Sequence, residues 1–181
     1  MAAFDAARIR YFLGGSVASA IYGEARSTRD IDLVAAMLPH HVEPFLAALG
    51  NDFYADSAVI KAAVAERRSF NIIHLETMVK VDIFTFKADA FGRSQFSRRT
   101  ARQLSPDDPS SIYVASPEDT VLAKLQWYRE GGGVSDRQWN DVLGVLKVQG
   151  PTLDRPYLEE WARELRVTDL LRRALEDAGL P

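Results

Sequence analysis

The sequence predicts an α+β protein, with strands and helices interleaved to about residue 115 and a wholly helical region over 116–181. Three observations carry this. Short apolar or alternating runs read as strands at residues 11–13, 30–34, 70–75 and 79–86. Helical stripes separate them. From Ser116 onward, every apolar stripe has helical spacing and is punctuated by helix-start signals.

Taken in order, a short helix precedes Arg10, and Tyr11-Phe12-Leu13 forms the first strand. Residues 17–22 read as a helix that Gly23 ends. A polar connection leads to the second strand at Asp30. Residues 39–49 are helical and stop at Gly50-Asn51. In residues 57–68, Val59, Ile60, Ala63 and Val64 form one apolar stripe. The runs 70–75 and 79–86 flank Glu76-Thr77 and are expected to be antiparallel neighbours. A short helix over 88–96 follows, then a hairpin of 99–104 with 112–115 across the loop Ser105-Pro106-Asp107-Asp108-Pro109-Ser110-Ser111. Ser116-Pro117-Glu118-Asp119 and Ser135-Asp136-Arg137-Gln138 read as capping boxes, and two further helices start near Asp154 and Thr168. The expected division is therefore a catalytic α+β module at 1–115 and a helical C-terminal region at 116–181 packed on it, since about 65 residues bury little alone.

Composition narrows the function. The chain has 181 residues, 47% of them hydrophobic and 26% charged, which suits one well-packed domain and not a disordered chain. No apolar run approaches the ~20 residues of a membrane span, and the N-terminus lacks a signal-peptide layout. The absence of cysteine rules out disulfides and thiolate chemistry. A cytoplasmic location with no membrane partner is the expectation. The net charge of −3 argues against nucleic-acid binding by the whole surface. Positive charge is nevertheless gathered at Arg67-Arg68 and at Arg93, Arg98, Arg99 and Arg102, where it either protects a strand edge or attracts a triphosphate or RNA backbone.

The chemistry concentrates between residues 13 and 34. In Arg29-Asp30-Ile31-Asp32-Leu33-Val34, alternation places Ile31 and Leu33 on one face of a strand and both carboxylates on the other. Two fixed carboxylates repel unless a cation sits between them, and hard oxygen ligands suit Mg²⁺ or Mn²⁺ completed by substrate phosphates. Leu13-Gly14-Gly15-Ser16 precedes them. Its glycines let a backbone approach a phosphate, and the helix that follows offers its N-terminal amides to an anion.

Gly14-Gly15-Ser16 and Asp30-x-Asp32 resemble the signature of the nucleotidyltransferase superfamily with the DNA polymerase β-like fold. The wider run from Tyr11 to Val34, with Pro117-Glu118-Asp119 further on, is similar to small stand-alone bacterial members, among them minimal nucleotidyltransferases and the branch related to abortive-infection toxins. The resemblance is strongest over 11–86. It implies a mixed or antiparallel sheet with flanking helices and transfer of a nucleoside monophosphate from an NTP. It also supplies a third carboxylate, for which Lys80-Val81-Asp82-Ile83-Phe84 offers Asp82. Asp30, Asp32 and Asp82 would then be the catalytic and metal-binding residues, and Gly14, Gly15, Ser16, Arg29 and Lys124 would bind the nucleotide. The alternative for Asp82 is a structural ion pair with Lys80 on the same strand face. The acceptor is left open between a protein hydroxyl, a tRNA end and a small aminoglycoside-like alcohol. The resemblance also implies a cognate toxin or antitoxin partner. The rival reading is a catalytically inactive module that binds nucleotide or a partner on the same fold.

In the helical region, Asp119 reads as a cap. Lys124 shares a stripe with Val121 and Tyr128 and must either snorkel to the rim or meet an anion. Asp141 lies four residues after Arg137, the spacing of an ordinary helix ion pair. Trp127, Trp139 and Trp161 read as packing residues, and His40, His41 and His74 show no metal-ligand spacing.

Overall fold

The computed structural model describes residues 1–105 and 108–180. Their contacts group into two compact units, one of residues 1–14 and 28–114, the other of residues 15–27 and 115–181.

The first unit is built on a seven-stranded mixed sheet: β1 (Tyr11–Leu13), β2 (Asp30–Ala35), β3 (Phe53–Tyr54), β4 (Phe70–His74), β5 (Lys80–Thr85), β6 (Thr100–Ser105) and β7 (Asp108–Val114). Its order is β3-β4-β5-β2-β1-β7-β6. The expected antiparallel pairing of β4 with β5 is present. β2 runs parallel to β5, with Asp30 opposite Lys80 and Asp32 opposite Asp82. The two-residue β3 carries too little pattern to be foreseen. The β6/β7 hairpin closes further along than the sequence suggests, since β7 starts at Asp108. Pro106 and Asp107 of its loop lie outside the described residues.

Alternation along β2 and β5 does the work expected of it. Leu33 and Ile83 are fully buried, while Asp30, Asp32 and Asp82 keep partial exposure on the other face. Helices α1 (Ala2–Ala6), α3 (Val42–Leu49), α4 (Ser57–Ala65) and α5 (Ala90–Arg98) cover this unit. Phe4 stacks obliquely on Tyr11 and Phe45, with centroids 5.0 and 4.8 Å apart. Phe96 of α5 meets Phe12 and Phe86 edge-on. The stretch 39–49 splits into a 3₁₀ turn and α3, as Pro39 suits only a first turn. The helix expected over 57–68 ends at Ala65 instead, where the chain enters a left-handed turn at Arg67. The helix expected over 88–96 starts at Ala90, capped by the Asp89 carboxylate, which accepts from the Gly92 amide.

The second unit is helical: α2 (Gly15–Tyr22), α6 (Pro117–Glu130), α7 (Asp136–Gln149), α8 (Arg155–Glu164) and α9 (Thr168–Asp177). Ser116, Ser135 and Asp154 cap α6, α7 and α8 through their side-chain oxygens. Leu122, Leu125, Val142, Val145, Leu146 and Leu158 are fully buried and form its core. Although early in sequence, α2 groups here. Its C-terminal Gly23 explains why, because a Cβ at this position would lie 2.6 Å from the backbone of Gly144 and Val145 in α7. Two glycines thus let two backbones meet. Among the described residues no helix is long and apolar enough to cross a membrane.

This crossing has a measurable consequence. Gly23→Ala should force α2 and α7 apart and lower unfolding free energy by about 1–3 kcal/mol, the usual cost of overpacking. A urea midpoint shift at constant slope reports it. A midpoint unchanged from wild type would contradict the close contact.

Candidate active site

Among the described residues, two clusters of charge contain several of the residues that the sequence singles out, one in each unit.

In the first unit, parallel in-register pairing of β2 with β5 sets Asp32 beside Asp82 and Asp30 beside Lys80. The Lys80 ammonium lies 2.7 Å from Asp82 and 3.6 Å from Asp30. Its pKa is raised, chiefly by the hydrogen bond to Asp82, against a smaller opposing effect of burial, with the charges of Asp82 and Asp30 adding. The ion pair weighed for Lys80 and Asp82 is therefore formed, and it extends to Asp30. The carboxylate donors have the chemistry that a hard divalent cation requires, and they occupy one face of two adjacent strands. Among the described residues, no three acidic or histidine side chains are drawn into a metal-holding cluster. A side-chain ammonium is the cation placed among these acids. Arg29 is exposed just before β2.

The Gly-Gly-Ser segment divides in function. The Gly14 amide donates to the Asp32 carbonyl at 2.9 Å, which extends the β1/β2 ladder by one residue and ties the turn to the acidic strand. A Cβ at Gly14 would meet nothing within 4 Å. Gly15 has φ of +57°, a left-handed conformation that glycine adopts without strain. Gly15 is thus demanded by the backbone, whereas Gly14 leaves open space beside it.

In the second unit, Ser16 stands in the first turn of α2, and its hydroxyl accepts from Arg26 at 2.6 Å. The same guanidinium grips Asp141 with two bonds of 2.6 and 2.7 Å, and the Lys124 ammonium reaches Asp141 at 2.7 Å. The anion that Lys124 meets is this carboxylate. The expected i,i+4 pairing of Asp141 with Arg137 is not what forms: Asp141 points into the unit, 7% exposed, and its partners come from α6 and from the segment after α2. Burial raises the Asp141 pKa, but hydrogen bonds from Arg26 and Lys124 and their charges outweigh it, so the group titrates below its ordinary value. Arg26 is raised in turn, first through its hydrogen bond to Asp141.

Arg26 is the member of this cluster that the sequence does not single out, and Asp141 is the member that reads instead as half of an ordinary helix ion pair. Arg26 sits in a polar connection without periodicity, and Asp141 had a nearer apparent partner. The available signal was the apolar run behind Asp141, which puts that carboxylate on a buried helix face. Asp119 is fully buried in the first turn of α6, where Ser116 is the capping residue. Its carboxylate accepts from the Ser116 hydroxyl at 2.9 Å and from the Tyr157 hydroxyl at 2.7 Å.

With the geometry established, comparison with known proteins defines the fold. No protein-family profile matches the chain, and no curated protein is significantly similar in sequence. Solved structures are similar. The crystal structure of an antigenic nucleotidyltransferase-like protein from Paracoccidioides brasiliensis matches with a TM-score of 0.56 at 16% identity, over 96% of this chain and 87% of that one. The solution structure of the antibiotic-resistance factor ANT(2'')-Ia matches with a TM-score of 0.50 at 15% identity, over 97% of this chain and 90% of that one. The chain has the α+β fold of nucleotidyltransferase-like proteins, as its Gly-Gly-Ser and Asp-x-Asp motifs imply.

The buried Arg26–Asp141–Lys124 cluster makes a stability prediction. Asp141→Asn leaves two cations facing a neutral amide and should cost about 3–5 kcal/mol, as removal of one partner from a buried pair does. Adding Lys124→Met should recover part of that loss, giving a non-additive double-mutant cycle. Because the folded pKa of Asp141 is depressed, its contribution is present above the ordinary carboxylate value of about 4 and is lost as pH falls below it. Urea titrations from neutral pH to about pH 2 should show an acid-side loss that the Asn variant lacks. Parallel pH curves for the two proteins would contradict the assignment.

Proposed function

We propose that this protein transfers a nucleoside monophosphate from an NTP to an acceptor hydroxyl, releasing pyrophosphate. One observation carries the reading: Asp30, Asp32 and Asp82 share one face of the in-register β2/β5 pair, and Asp30-x-Asp32 is part of the motif that resembles a nucleotidyltransferase signature. Asp30, Asp32 and Asp82 would hold Mg²⁺ or Mn²⁺, which when bound supplies positive charge for the triphosphate and lowers the pKa of an attacking hydroxyl. The open backbone at Gly14, the left-handed turn at Gly15 and the Ser16 hydroxyl suit contacts to phosphate oxygens. Arg26 already donates to Ser16 and fixes that hydroxyl's orientation. The second cluster carries two cations, Arg26 and Lys124, on one carboxylate, which leaves positive charge that suits an anion. Arg29 would offset charge that builds on the leaving pyrophosphate, whereas Lys124, buried and bonded to Asp141, would act only through that network. A protein hydroxyl or a tRNA end is the proposed acceptor, and a cognate toxin or antitoxin the proposed partner.

The lysine among the acids favours a second reading. Lys80 offsets carboxylate repulsion without any metal, as in a module that binds nucleotide or a partner but does not transfer.

Calorimetry and labelling separate the two. Mg²⁺ with an NTP should raise the melting temperature of the wild type by mass action, and Asp30→Asn/Asp32→Asn should abolish that increment. Gly14→Val has room for its side chain and should leave apo stability near wild type while weakening NTP binding at least about ten-fold. Asp82→Asn should keep NTP affinity within a few-fold but cut transfer of labelled nucleotide to lysate or tRNA by orders of magnitude. An equal melting shift in wild type and the Asp30/Asp32 double variant would refute the metal-nucleotide site. NTP binding without labelling of any acceptor would move the conclusion to the non-catalytic module.

A further inference from the structure

At the far end of the β2/β5 pair from Asp30 and Lys80, a cavity of about 490 Å³ opens beside Thr85, lined by Arg8, Arg10, Arg67 and His41 with no acidic residue on its walls. All of these belong to the first unit. Among the described residues, none of the three arginines has a carboxylate partner, and only Arg10 has a defined side-chain neighbour, the Phe96 ring 5.8 Å from its guanidinium carbon. Thr85 is 7% exposed, and its hydroxyl has no hydrogen-bond partner among the described residues. A buried hydroxyl without a partner costs stability until something fills the space beside it.

The backbone supports the same conclusion. Arg8 and Arg67 have φ of +55° and +54°. Each occupies the left-handed position after a helix, and the residue following it closes the turn: the Ile9 amide donates to the Phe4 carbonyl, and the Arg68 amide to the Ala63 carbonyl. Glycine is the usual occupant there, because a side chain in this conformation is strained. Arg166 takes the same position after α8, so a left-handed arginine alone is not diagnostic. What distinguishes Arg8 and Arg67 is that they converge on one cavity with Arg10.

A second cavity, of about 320 Å³, shares Arg8 and Arg10 and adds Arg99, Tyr113 and one acid, Asp5, to its lining. The Arg99 guanidinium lies 4.7 Å from the centre of the Tyr113 ring, which remains 44% exposed. Two contiguous basic cavities with an exposed aromatic ring exceed what one phosphate needs. They match a phosphodiester chain whose charges meet arginines and whose bases stack on aromatic or guanidinium planes.

We propose that the groove from Arg67 through Arg8 and Arg10 to Arg99 binds a single-stranded polynucleotide, independently of the nucleotidyl-transfer site. The groove contains none of the residues assigned to metal or NTP, so it can bind whether or not the transferase reading holds.

Fluorescence anisotropy with a labelled single-stranded RNA of about twelve nucleotides, in EDTA and without NTP, tests this. Engagement of three phosphates predicts that log K falls with log salt at a slope of about −2. Arg8→Gly and Arg67→Gly remove charge while relieving the left-handed strain, so each should weaken RNA binding at least about five-fold with a melting temperature equal to or above wild type. Arg10→Gln should weaken it similarly and is the check if a glycine variant proves unstable. Undiminished binding in all three variants, or no RNA binding by the wild type, would overturn the proposal. Displacement of the RNA by inorganic phosphate or a mononucleotide at matched phosphate concentration would reassign the groove to a small phosphorylated ligand. Preferential binding to anionic lipid vesicles would reassign it to a membrane surface.

Discussion

Everything chemical in the first unit depends on one constraint, the register in which β2 lies parallel to β5. That register sets Asp32 beside Asp82 and Asp30 beside Lys80. A slip of one residue would turn the carboxylates of one strand toward the core and expose Leu33 or Ile83, both now fully buried. Apolar burial on one face therefore fixes the position of like charges on the other. The repulsion that results is tolerated because Lys80 spans Asp30 and Asp82, and because Asp30 and Asp82 keep 54% and 22% of their side-chain surface in water. The hydrophobic face pins the geometry, and the lysine moderates its electrostatic cost.

The second cluster solves the opposite problem. Asp141 and Lys124 are both about 95% buried, where an uncompensated charge would be prohibitive. A bidentate guanidinium and an ammonium share the one carboxylate, so it stays ionised despite burial. The bond from Arg26 to Ser16 extends this fixed charge to the start of α2. A partly buried network of this kind orients a hydroxyl more firmly than a solvated loop does.

The parts of this arrangement that sequence could reveal are those with a local period. Alternation in Asp30-Ile31-Asp32-Leu33 announced both the strand and its acidic face, and the serine and aspartate caps marked three of the C-terminal helix starts within a residue. The β4/β5 hairpin was legible from its two apolar runs. What the sequence hid was long-range pairing. Asp141 offered a plausible neighbour at i−4, yet its partners lie 115 and 17 residues away. Likewise, no pattern within residues 15–27 shows that α2 groups with helices a hundred residues later. That follows from two glycines meeting, Gly23 and Gly144, which only the folded chain brings together.

Apart from Met78, the left-handed positions among the described residues are held by glycines and arginines. Gly15 has φ of +57° where α2 begins, and Gly50 has +65° after α3. These turns use the residue that steric preference favours. At Arg8 and Arg67 the same conformation is imposed on a long cationic side chain, at a cost of order 1 kcal/mol each relative to glycine. Neither guanidinium pairs with a carboxylate among the described residues, and, unlike Arg166, both line one cavity. The choice makes physical sense if the charge is used from outside the chain. The cavity that both arginines line, with the unpartnered hydroxyl of Thr85 in its wall, is where that use would occur.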